Sequence, residues 1–174
     1  MMPRAMRFRN CARASKSTIL QIEMKTLVLG LGNPILSDDG AGIRAAQEVE
    51  RQLNDPQVTV AETSEAGLRL LDSIIGHDKV IIIDAIQTKE GNAGQIYRME
   101  PEDFSFTKRF SSPHQINLVT ALELGKMLGL AVPKRITIFA VEAKDITTFS
   151  EKCTPAVERA IPELVKMVLQ ELVG

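Results

Sequence analysis

The stretch Thr26-Leu27-Val28-Leu29-Gly30-Leu31-Gly32-Asn33-Pro34-Ile35-Leu36-Ser37-Asp38-Asp39-Gly40 opens as an apolar β-like run and breaks at two glycines. It then delivers two adjacent carboxylates to the mouth of a helix. A strand that ends in glycine and feeds a helix places its loop at the carboxyl edge of a sheet, where open α/β proteins bind ligands. The helix reads directly after the loop. Ala41, Ile43, Ala45, Ala46, Val49 and Leu53 recur at helical spacing, with Arg44, Glu48 and Arg51 on the other side.

Working outward, 58–61 reads as a short strand and 68–75 as a helix stopped by Gly76. Residues 79–86 form the strongest strand. Val80, Ile81, Ile82 and Ile83 are β-branched with no polar alternation, which indicates burial on both faces and a central place in a largely parallel sheet. The connection to the next strand, 95–99, is too short for a helical crossover, so these two strands should pair antiparallel if they are neighbours. Phe104, Phe106 and Phe110 punctuate an irregular segment, either clamping it to the core or forming an apolar lip. Ser112 and Pro113 supply a cap and a first helical position for a helix running to Gly129. A last strand at 135–141 precedes a helix that starts at Thr154-Pro155 and reaches Leu172, with Pro162 expected to kink or divide it. The order β-α-β-α-β-β-α-β-α implies one three-layer α/β sandwich. Its mostly parallel, twisted five-stranded sheet carries helices on both faces.

A chain of 174 residues is long enough to bury one sizeable core. Its 44% hydrophobic and 25% charged content is ordinary for a globular protein. The net charge of -1 hides an asymmetry, because Arg4, Arg7, Arg9, Arg13 and Lys16 face only Glu23 before residue 25. That Arg-rich start loosely resembles a transit peptide, and otherwise reads as a disordered leader or an upstream start with Met24 opening the folded part. The expected organisation is a leader over 1–24 and one domain over 25–174. The domain then carries a net charge of -5, which argues against a nucleic-acid surface. No apolar run approaches the roughly 20 residues that span a bilayer. Cys11 and Cys153 form no CxxC pair or disulfide framework, so the expected compartment is reducing, the cytoplasm.

Three residues are candidates for chemistry. Asp39, beside Asp38, follows the first strand; Asp84 closes the central strand; His114 opens a helix that a right-handed topology can bring to the same edge. Two carboxylates and an imidazole make an N/O site for a borderline divalent metal. A helix N-terminus favours a neutral, ligating imidazole, and paired carboxylates repel unless a cation sits between them. Each has a plainer use: Asp39 as a helix cap, His114 as an exposed first-turn residue. Asp84 is harder to dismiss, because a carboxylate after four β-branched residues is costly unless paired or useful. His77 precedes the central strand, at the opposite edge, and reads as structural or solvated.

The run from Gly30 to Gly42 resembles the opening signature of the nickel–iron hydrogenase maturation endopeptidases. Asp84-Ala85, His114 in Ser112-Pro113-His114, and Val141-Glu142-Ala143 with Thr154-Pro155-Ala156-Val157 are similar to that family's later blocks, in the same order. The resemblance spans residue 25 to the C-terminus. It implies an endopeptidase that removes a C-terminal extension from the hydrogenase large-subunit precursor once nickel has been inserted. Nickel ligation would fall on Asp39, Asp84 and His114. The nickel is implied to come with the precursor, other divalent metals being able to substitute. Some members carry glutamate at the first ligand, one methylene longer than Asp39, so reach and geometry there are open; Ala143, where many members carry proline, is a smaller departure. Asp38 is left as the structural neighbour.

Two other readings compete. Gly30-Leu31-Gly32-Asn33-Pro34 also resembles the start of peptidyl-tRNA hydrolase, an esterase, but Ser37-Asp38-Asp39-Gly40 replaces the Tyr-x-x-Thr-Arg-His-Asn stretch which that family needs. A nucleotide-binding module would need a third glycine where Ile35 stands.

Overall fold

The structure, a computed structural model, describes residues 24–65, 68–105, 110–111 and 118–174. Five strands lie side by side in the order β2-β1-β3-β6-β4, formed by β1 (Thr26–Leu31), β2 (Val58–Thr63), β3 (Lys79–Thr88), β4 (Ile96–Met99) and β6 (Arg135–Glu142). A two-residue β5 (Phe110–Ser111) pairs antiparallel with the end of β3. β1 is parallel to both β2 and β3, and β3 is parallel to β6. The helices are α1 (Ala41–Gln52), α2 (Leu68–Ile74), α3 (Pro101–Ser105), α4 (Leu118–Met127) and α5 (Pro155–Val173).

β3 explains the three layers. Its side chains alternate, so Ile81, Ile83 and Ala85 meet Ala41, Ala45 and Val49 of α1 and Val157, Leu164 and Val168 of α5. Val80, Ile82 and Ile86 meet Leu70, Leu71 and Ile74 of α2 and Leu118, Ala121 and Leu122 of α4 on the other face. Ile81, Ile82 and Ile83 are each at most 1% exposed, and each such burial contributes about 2 kcal/mol. The continuous apolar run therefore marks the centre of the sheet, as its composition implied.

Three expectations change on folding. The strand after the 88–95 connection does not neighbour β3; it lies beyond β6 and pairs antiparallel with it, Ile96 opposite Val141 and Met99 opposite Ile138. A short connection fixes direction but not partner, and β6, arriving later, takes the place between them. The irregular segment contains α3 and β5; of its three phenylalanines, Phe106 and the side chains of Phe104 and Phe110 lie outside the description, as do residues 1–23 and 112–117. Finally, α5 is not divided at Pro162, which sits on the exposed side of the helix, where water can serve the carbonyl the proline leaves without a donor.

What brings α1 onto the sheet is backbone contact. A β-carbon on Gly42 would lie 2.3 Å from the Leu31 carbonyl oxygen and 2.4 Å from that of Ile83. One on Gly30 would lie 2.6 Å from the Gly42 carbonyl oxygen. Gly42→Ala is expected to cost about 3 kcal/mol in urea unfolding, because both clashing atoms are main chain and cannot step aside. Glu50→Ala, on the exposed side of α1, should stay within about 0.5 kcal/mol. Equal stabilities for the two variants would contradict this close contact.

Candidate functional site

The loop after β1 is closed on itself. Gly32 has φ +135°, and a β-carbon there would strike the Asp39 carbonyl oxygen at 1.8 Å. Within the turn, the Leu36 N–H donates to the Asn33 carbonyl at 3.1 Å, and the Asp39 N–H to the Leu36 carbonyl at 3.0 Å. The Asp39 side chain folds back over this turn, its Oδ2 accepting the Asn33 N–H at 2.8 Å. Residues Ser37–Gly40 form one 3-10 turn that runs straight into α1. Asp39 is 7% exposed and does not cap α1, whose cap position is Gly40 with no side-chain bond.

Asp38 has a different task. It is fully buried and accepts four hydrogen bonds: from the Lys144 N–H (2.9 Å), the Asp145 N–H (3.0 Å), the Thr154 N–H (2.6 Å) and the Thr154 hydroxyl (2.9 Å). Its own N–H donates to the Asp145 carbonyl at 3.0 Å. The neighbouring backbone continues the seam, with Ser37 N–H to Ser150 carbonyl at 2.8 Å and Ser150 N–H to Ile35 carbonyl at 3.0 Å. Hydrogen bonds from Thr148 and Thr147 hold the Asp145 carboxyl well below the usual carboxylate range and order this part of the loop. Thus the loop after β1 is fastened to the loop after β6. Thr154 spends its hydroxyl on Asp38 instead of capping α5. Ser37 takes a φ of +47°, a strained value that such a seam can hold in place.

Asp84 is fully buried in β3, opposite Ala140 of β6, on the sheet face that carries Ile82 and Ile86. Its Oδ1 accepts the Ala85 N–H at 2.8 Å. β1 and β3 are parallel neighbours with Gly30 opposite Ile83, so Asp84 stands at the same edge from which the Asp39 loop departs. The third expected ligand, His114, lies outside the described residues. Among the described residues no three metal-binding side chains cluster. His77 lies between α2 and β3 at the opposite edge, half-buried, its Nδ1 without a hydrogen-bond partner among the described residues.

The sequence reading did not single out Glu142 as a site-edge residue. At 3% exposure it closes β6, opposite Ile86. Oε1 accepts the Thr88 N–H at 2.7 Å and Oε2 the Tyr97 hydroxyl at 3.1 Å, so it ties β4 and the end of β3 to β6. Burial, then the Glu142 charge, raises the Tyr97 pKa. The available signal was the same as for Asp84, a carboxylate ending an apolar strand. Cys153, a free buried thiol beside the Asp38 seam, is pushed up to about 11 by burial, with Arg44 opposing.

An open, mostly parallel α/β sheet with buried acids at its carboxyl edge defines an α/β protein whose ligand site lies at that edge. The family model described as HycI, hydrogenase maturation protease, matches residues 43–171, a span that includes Asp84 and begins after Asp39. The hydrogenase 2 maturation protease of Escherichia coli (strain K12) is 32% identical over 152 residues, covering 86% of this chain and 91% of that protein. The hydrogenase expression/formation protein HupD of Rhizobium leguminosarum bv. viciae is 28% identical, covering 85% and 74%. In solved structures, the hydrogenase maturating endopeptidase HybD from E. coli matches with a TM-score of 0.73 at 30% identity, over 86% of this chain and 92% of that one. A HybD from Thermococcus kodakarensis shares the fold, with a TM-score of 0.68 at 24% identity over 84% and 98%. The chain belongs to the hydrogenase maturation protease family, and its activity is that of a protease.

Asp38→Ala strands four part-buried donors and is expected to cost about 2 kcal/mol in urea unfolding, with Asp38→Asn, which keeps a carbonyl oxygen, costing about half. A loss below about 0.5 kcal/mol for Asp38→Ala would show that the seam does not hold the two loops together.

Proposed function

We propose that the protein is an endopeptidase that removes the C-terminal extension of a nickel–iron hydrogenase large-subunit precursor, and that nickel already in the precursor is its recognition element. The observation that carries this reading is the placement of Asp39 and Asp84, in a chain of this family, at one carboxyl edge of the sheet. With His114 they form a donor set of two oxygens and one imidazole nitrogen, suited to nickel and other borderline divalent ions. The nickel arrives as part of the substrate. A precursor that carries its metal brings a cation to two buried carboxylates, and one without metal does not.

In this reading Asp39 and Asp84 hold the substrate's cation and so register the scissile peptide against the sheet edge. Positioning of this kind converts a bimolecular attack into an effectively intramolecular one. A carboxylate beside the peptide can also take the proton of the attacking water. The Asp38 seam and the Asn33 amide fix the Asp39 turn from two sides, so its carboxylate is oriented before substrate arrives. The partner is the precursor, and no nucleic acid or membrane enters the reaction. No helix among the described residues is long and apolar enough to cross a membrane. The cytoplasm is the compartment that fits.

Incubation with nickel-loaded and metal-free precursor should give cleavage of the first only. Equal cleavage of both, or of neither, overturns the proposal. His114→Ala should abolish processing with the thermal midpoint within about 2 °C of the parent, whereas a large fall in midpoint would make His114 a structural residue.

A further inference from the structure

At the amino-terminal edge of the sheet, away from Asp39 and Asp84, lies a cavity of about 410 Å³. Cations from four places line it: Lys79 at the start of β3, Arg98 in β4, Lys126 near the end of α4, and Lys134 with Arg135 where the chain enters β6. This gathering runs against the composition, since residues 25–174 carry a net charge of -5.

The local acids do not neutralise it. Glu171 of α5 is already engaged: its Oε2 accepts Arg98 Nε at 3.2 Å and Nη2 at 3.1 Å, and its Oε1 accepts the Thr137 hydroxyl at 3.2 Å. Lys79 is 4% exposed, and its ammonium donates to the backbone carbonyl of Glu171. Among the described residues, none of Lys79, Lys126, Lys134 and Arg135 forms an ion pair with a carboxylate; Arg98 alone of the five does. Burial lowers the Lys79 pKa; Glu171 opposes this, and Arg135 and Arg98 add to it. A buried ammonium flanked by guanidinium groups is stabilised by an anion that supplies the missing charge. Arginine forks match phosphoryl and carboxylate groups alike, and the volume is that of a small-molecule site. The exposed acids Glu100 and Glu102 belong to the same lining, which favours a compact anion held by the cations over an extended one.

We propose that this cavity is a binding site for a compact soluble polyanion, phosphorylated or polycarboxylate, separate from the carboxyl-edge site. The reading does not depend on the cleavage activity.

The full-length protein is titrated calorimetrically with pyrophosphate and, separately, with citrate, at ionic strength held constant with sodium chloride. At least one probe should bind one-to-one and raise the thermal midpoint by about 5 °C at a hundredfold excess over its Kd. Whichever probe binds identifies the phosphoryl or the carboxylate source. In the Lys134→Ala/Arg135→Ala variant, whose substitutions lie on exposed side chains, the same probe should bind at least about tenfold more weakly. Lys126→Ala serves as a second variant if the double one does not fold. No binding by either probe, or undiminished binding by the folded variant, overturns the proposal.

Discussion

The fold turns on one close approach, that of the first turn of α1 to the end of β1 and to Ile83 within β3. Gly42 lies where any side chain would strike the carbonyls of Leu31 and Ile83, and Gly30 answers it from the strand. Because α1 sits this low, the loop between β1 and α1 has little space and must fold tightly. Gly32 makes that possible at φ +135°. The carboxylate at the end of the loop is then held at the carboxyl edge, beside the strand that carries Asp84. Packing dictates backbone, and backbone dictates where the acids stand.

The two adjacent aspartates divide the work. Asp38 reaches across to the loop after β6 and satisfies donors on Lys144, Asp145 and Thr154. Asp39 turns back to its own loop through the Asn33 amide. A fully buried carboxylate with four hydrogen bonds is a structural anchor, and the residue after it inherits a fixed direction. Glu142 plays the comparable part on the other side of β3, tying Thr88 and Tyr97 to the end of β6. Anchors of this kind flank the central acids on both sides.

Much of this was legible in the sequence where the information is local. The run from Val80 to Ile83 marked the central strand because burial on both faces removes polar alternation. The glycine break and helical spacing after it located the edge loop. Where information is distant, the sequence was silent. The partners of Asp38 lie 106 to 116 residues away, so its neighbours could not distinguish anchor from cap. The strand after residue 95 showed its direction but not that β6 would come between it and β3. Pro162 suggested a broken helix, but its exposed position lets α5 pass through unbroken.

In the proposed reaction Asp39 and Asp84 meet a metal that the substrate brings. Nickel K-edge X-ray absorption tests it most directly, on nickel-loaded precursor frozen rapidly with the protein and with its Asp39→Ala/Asp84→Ala variant. Additional oxygen or nitrogen scatterers around nickel are expected with the parent protein and not with the variant. Identical spectra for the two mixtures would contradict it.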